Sequence, residues 1–143
     1  MAGVECVALQ QLDPVYLGDD NYAKQPVCEA VLAAGAHFLF VCKPGSHKTI
    51  GEYLTGVTLS STSRKIKRRK KFSTYTWRGM PGVPIRDGKD ALEVNWLEIA
   101  IRDADGKLTY RNSFITDLPV GPSNSHYGRL WFGCTRIQRY VEV

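Results

Sequence analysis

The stretch VYLGDDNYAKQPVCEAVLAAGAHFLFVC, residues 15–42, decides how the chain folds. Val15, Tyr16 and Leu17 form a short apolar run that stops at Gly18, and Asp19, Asp20 and Asn21 follow. Pro26 fits the first turn of a helix, where a missing N–H costs nothing, so a helix is predicted from about Lys24 or Gln25. Val27, Val31 and Ala34 recur at helical spacing, with Cys28 and Leu32 beside them. Gly35 then suits a left-handed cap. Residues 37–42, HFLFVC, are nearly all apolar and show no alternation. Such a run predicts a strand buried on both faces, as in a parallel sheet. Residues 15–42 therefore read as a β-α-β unit, whose crossover is expected to be right-handed.

Outward from this unit the character changes twice. Residues 43–49, KPGSHKT, read as a turn, and IGEYLTGV as a short helix ending before Gly56. From Ser60 small polar residues lead into RKIKRRKK, residues 64–71. FSTYTW, residues 72–77, alternates as a strand does, whereas RGMPGVPIRDGKDA, residues 78–91, reads as loop from its glycines and prolines. Leu92, Val94 and Trp96 alternate along the next strand. Asp105-Gly106 marks a hairpin, and residues 108–118 return as its partner. An antiparallel β section over residues 72–118 is expected. The tail, residues 119–143, opens rich in Pro, Gly, Ser and Asn and shows no period.

A chain of 143 residues suits one domain. Its net charge of +5 is unevenly spread. Arg64, Lys65, Lys67, Arg68, Arg69, Lys70 and Lys71 are seven of nineteen basic residues, and the remainder carries a net −2. The basic character thus belongs to one segment, which points to a polyanion contact there or, more plainly, to a solvated basic loop. Cys6, Cys28, Cys42 and Cys134 form no C-x-x-C pair, and Cys28 and Cys42 sit in apolar runs. A reduced, cytoplasmic protein without a cysteine zinc site is expected. The N-terminal MAGVECVALQQ lacks the pattern of a signal peptide, and no apolar run reaches the roughly 20 residues that cross a bilayer, so no membrane partner is expected.

Most motifs that carry chemistry fail on inspection. VCKPGSHKT has His47 and Cys42 where a phosphate loop needs glycines, which argues against a nucleotide cofactor. His37, His47 and His126 have no metal-ligand spacing. No G-x-S-x-G elbow supports a hydrolase. The acids remain. Asp19 is expected at the carboxyl end of a strand, with Asp20 turned away by the alternation. Two-metal phosphodiester chemistry needs two or three converging carboxylates. Glu93, Glu98, Asp103 and Asp117 are the available partners, and no spacing singles one out. Read locally, Asp19-Asp20 is better explained by a turn capping a helix than by a catalytic pair.

The order of YLGDD, FVCKPGSHKT and NSFITDLPV resembles the core of the DDE transposases of bacterial insertion sequences, over residues 14 to 122. In that family a strand ending in G-D-D-x-Y carries the second catalytic aspartate, and a β-rich insertion follows. The resemblance implies an α/β fold: a partial ribonuclease-H-like β-α-β core (14–59), an antiparallel β-rich insertion (60–118) and a divergent tail (119–143). It implies Asp19 as a catalytic, Mg²⁺-binding acid, with DNA as partner and self or an intact transposase as a further one. The basic run would contact transposon-end DNA. The chain also departs from the family. Before Asp19 only Glu5 and Asp13 are acidic, and neither lies on a recognisable first strand. The family's last glutamate follows TDLPV on a helix. Here SNSHYGRLWFGCTRIQRYVEV holds no glutamate before Glu142, which reads like a frameshifted or truncated tail. Asn21 replaces an apolar residue. The expectation is a catalytically incomplete transposase remnant, with an unpaired sheet edge beside residues 15–17 or 37–42; the alternative is a small, non-catalytic DNA-binding protein using residues 64–71.

Overall fold

The computed structural model describes residues 5–7, 14–59 and 61–120. The chain runs β1 (Glu5–Val7), β2 (Val15–Gly18), α1 (Gln25–Ala33), β3 (His37–Val41), α2 (Lys48–Thr55), β4 (Ser61–Arg68), β5 (Lys71–Pro84), β6 (Glu93–Arg102) and β7 (Leu108–Thr116). The strands form one mixed sheet in the order β1-β2-β3-β7-β6-β5-β4. The fold is therefore α/β, with two helices among the described residues.

The apolar run at 37–41 becomes the seam of this sheet. Phe38, Leu39 and Phe40 are almost wholly buried. β3 pairs in parallel with β2 (Val15 opposite His37) and antiparallel with β7 (Leu39 opposite Thr116). Pro26 opens α1 and Gly35 follows it at φ +74°, as the sequence predicts. Side chains of β7 stitch the seam. The Thr116 hydroxyl donates to the Phe38 carbonyl at 2.7 Å, and the Ser113 hydroxyl to that of Cys42 at 2.7 Å.

Two clusters sandwich the sheet. On one face Cys28 and Val31 of α1 and Ile50 of α2 pack with Phe38, Phe40, Val94, Trp96 and Ile115. On the other, Val15, Leu39, Tyr75, Trp77, Leu97, Ile99 and Phe114 pack with Leu118 and Val120. Burial of these side chains contributes about 1.5–3 kcal/mol each. Phe38 and Phe40 stack with ring centroids 5.3 Å apart.

Three expectations are corrected. Residues 78–84 are not loop: β5 continues to Pro84. The register slips between Met80 and Val83, and Gly82 has φ +68°, so the Gly/Pro signals mark a bulge inside a strand. Gly79 belongs to the same device, since the Val120 carbonyl lies where its Cβ would be. Next, the β section begins at Ser61, and the basic run is strand β4 plus a turn rather than a loop. The expected open edge beside β2 or β3 is absent as well. β3 is paired on both sides, and β1, where no first strand was recognised, pairs antiparallel with β2. The described sheet ends instead at β1 and β4. The tail, with residues 121–143, lies outside the described residues.

Candidate functional site

The carboxyl ends of the parallel pair β2–β3 bring Asp19, Asp20 and the turn after β3 together. β2 ends at Gly18 because the Phe40 ring fills the space of a Cβ there, 2.8 Å from its ideal position. Asp20–Tyr22 then coil into one 3-10 turn, and Asp19 caps it by accepting from Asn21 N at 2.9 Å. Asp19 is exposed.

Asp20 does not turn away, because strand alternation has ended by that residue. Its Oδ1 accepts from Lys43 N at 2.8 Å and stands 3.4 Å from His47 Nδ1. Desolvation pushes the Asp20 carboxyl up. The hydrogen bonds from Lys43 N and the Ser46 side chain, with the charges of His47 and Lys43, outweigh it and hold the group below its ordinary 3.8. His47 Nε2 lies 2.6 Å from the Ala23 carbonyl, which requires a proton on Nε2. Its Nδ1 is buried with no hydrogen bond of its own and faces Asp20, so protonation there would make an ion pair. A cleft of about 340 Å³ opens beside this cluster, with Lys24, Gln25 and Arg86 on its walls.

The other acids do not converge on Asp19. Glu98 is bound to Arg78, with Oε1 2.6 Å from Nη2. Asp103 accepts from the amides of Asp105 and Lys107 in its own turn. Asp117 sits at the opposite end of β3, accepting from Phe38 N at 2.9 Å and lying 2.6 Å from His37 Nδ1. Glu93 is exposed on β6, opposite Pro84. Glu5 begins β1 opposite Leu17, which places its backbone toward the Asp19 end of β2. Asp13, His126 and Glu142 lie outside the described residues. Among the described residues no three His, Cys, Asp or Glu side chains form a metal-binding group. Asp19 alone does not fit a two-metal pair, and no step through Mg²⁺ follows from this set. Cys28 and Cys42 are buried, and burial, more than the nearby acids, pushes both thiols up to about 12, which leaves them as apolar packing.

The basic residues gather at the other side of the sheet. β4 and β5 pair from Ser61 opposite Arg78 to Arg68 opposite Lys71, and Arg69-Lys70 make the two-residue turn. Both turn residues are left-handed, at φ 48° and 68°. Tight hairpin turns favour that geometry, but usually with Asn-Gly. Arg64, Lys65, Lys67, Arg69, Lys70 and Lys71 are exposed, and Ile66 packs against the core.

Sequence reasoning missed the joints that hold these regions. Gln25 is buried and joins α1 to the 85–92 segment. Its Nε2 donates to the Asp90 carbonyl and its Oε1 accepts from Leu92 N, each at 2.8 Å. Asn95 bridges the bulge, accepting from Gly82 N and donating to the Leu118 carbonyl. The polarity of Asn95 between Val94 and Trp96 is a signal for the second, and Gln25 beside Lys24 and Pro26 offers none. No helix of the described residues is long and apolar enough to cross a membrane. No family model, curated protein or solved structure matches the chain.

Proposed function

We propose that the chain is a DNA-binding protein built on a transposase-type, ribonuclease-H-like core, and that it does not cleave DNA by itself. The observation that carries the reading is the concentration of positive charge on residues 64–71 of the β4–β5 hairpin, against a net −2 in the rest of the chain. A regular ribbon leaves Lys65, Lys67, Arg69, Lys70 and Lys71 exposed to solvent, where they can neutralise a row of phosphates. The parallel pair ending in Asp19-Asp20, followed by an antiparallel section, supports the transposase-type core. Asp19 keeps the place of a catalytic acid there, without partner carboxylates among the described residues.

Two measurements test this. Filter binding to duplex DNA across salt concentrations should give a log–log slope of about −4.5 or steeper, corresponding to five or more phosphates. Replacing Lys67, Arg69, Lys70 and Lys71 by Gln should flatten it. Binding that survives that replacement removes the basic run from the account, and equal binding to polyglutamate removes DNA. End-nicking is then assayed with Mg²⁺ and transposon-end DNA. Metal-dependent nicking that disappears in Asp19→Ala would overturn the non-catalytic part.

A further inference from the structure

Resting on that DNA-binding reading, we propose that the tip of the β4–β5 ribbon, residues 66–73, enters the major groove of duplex DNA, with Phe72 against the base edges. The last pair that β5 makes with β6 is Thr74 opposite Arg102. Beyond it, Lys71, Phe72 and Ser73 pair only with Arg68, Lys67 and Ile66. The tip is therefore a two-stranded ribbon beyond the last pair with the third strand, with the turn after β6 beside it. Three residues at about 3.3 Å each carry it about 10 Å past that pair. The major groove is about 8.5 Å deep and 12 Å wide and admits a two-stranded ribbon, whereas the minor groove is only about 6 Å wide.

The side chains agree with this depth. Lys67, Arg69, Lys70 and Lys71 bracket the turn, so phosphates of both groove walls find cations. Phe72 is half exposed, opposite Lys67, whose Nζ lies 5.5 Å from the ring centroid. An exposed ring between cations suits a thymine methyl, while a lysine suits guanine O6 and N7. The Asp103–Asp105 turn stands beside Lys70, Lys71, Phe72 and Ser73 across a cleft of about 380 Å³.

The test uses the full chain and four probes: plain duplex, duplex carrying glucosylated hydroxymethylcytosine in the major groove, duplex with netropsin in the minor groove, and duplex with uracil for thymine. Glucosylation should weaken binding at least tenfold and netropsin should leave it unchanged. Uracil should weaken it about threefold, and Phe72→Ala, folded by circular dichroism, should erase the thymine–uracil difference. Binding indifferent to glucosylation, or lost with netropsin, overturns the groove assignment while leaving DNA binding standing. A thymine–uracil difference that persists in Phe72→Ala overturns the role of the ring. Absence of salt-dependent binding to plain duplex overturns the underlying reading itself.

Discussion

The β2–α1–β3 unit and the β4–β5 ribbon share one sheet but are held in opposite ways. In the first, side chains set the structure: Val15, Val31, Phe38 and Phe40 are fully buried, and two strands of five residues or fewer suffice. In the second, backbone pairing sets it. Eight consecutive residue pairs join β4 to β5, while the side chains of residues 61–67, Ile66 apart, stay in water. A strand whose side chains carry no packing duty is free to carry charge. Edge strands also need charge, because a row of lysines and arginines blocks pairing with a second copy. The contrast separates a region specified by burial from one whose residues are available for binding.

Truncation is the strongest way to break that contrast. Phe38→Ala should lower stability by about 3–5 kcal/mol in urea unfolding, while Ile66→Ala should cost under about 2 kcal/mol, because Ile66 is only partly buried. Equal losses would place the ribbon in the core. Gly18→Ala comes next. Its methyl group would press on the Phe40 ring, and a cost of about 1–3 kcal/mol is expected from overpacking.

Asp20→Asn tests the acid cluster through pH. The Asp20 carboxyl is held below its ordinary value in the folded chain, so the stability it contributes is complete above pH 3.8. That contribution is lost as pH falls below 3.8 and through the folded value. Thermal melts of Asp20→Asn should therefore decline less steeply through that window than the parent's. Identical acid limbs would remove the cluster from the account. The smallest effect is expected at the ribbon's turn. Replacing Arg69-Lys70 by Asn-Gly relieves two strained left-handed residues and should raise stability by up to about 1 kcal/mol. The same change should weaken DNA binding, so stability and affinity should move in opposite directions.

The sequence exposes the burial-specified half far better than the other. HFLFVC announces a doubly buried strand, Pro26 and Gly35 bracket α1, and Asp105-Gly106 sits at its hairpin. β4 escapes notice because an edge strand of basic residues has no buried face to produce a pattern. Residues 78–84 mislead because glycine and proline signal a bulge with the same letters as a loop. At the site, the location of Asp19 can be read from where the apolar run stops. The partners of Asp20 cannot, since Lys43, Ser46 and His47 reach it only once β3 lies beside β2.

The seam between β3 and β7 has a consequence for the order of events during folding. The chain lays down β3 at the centre of the sheet, then leaves for the far edge at β4 and returns strand by strand. Each step of that return is a local hairpin, which closes quickly. The last step is not: it joins Cys42 to Ser113 and Phe38 to Thr116, partners 71 and 78 positions apart. Non-local pairings of this span carry the loop-closure cost before any contact rewards it. The expected transition state is a meander already zipped from β4 to β7 and waiting to dock. In it, hairpin positions such as Ile99 would show high φ-values and seam positions such as Thr116 low ones.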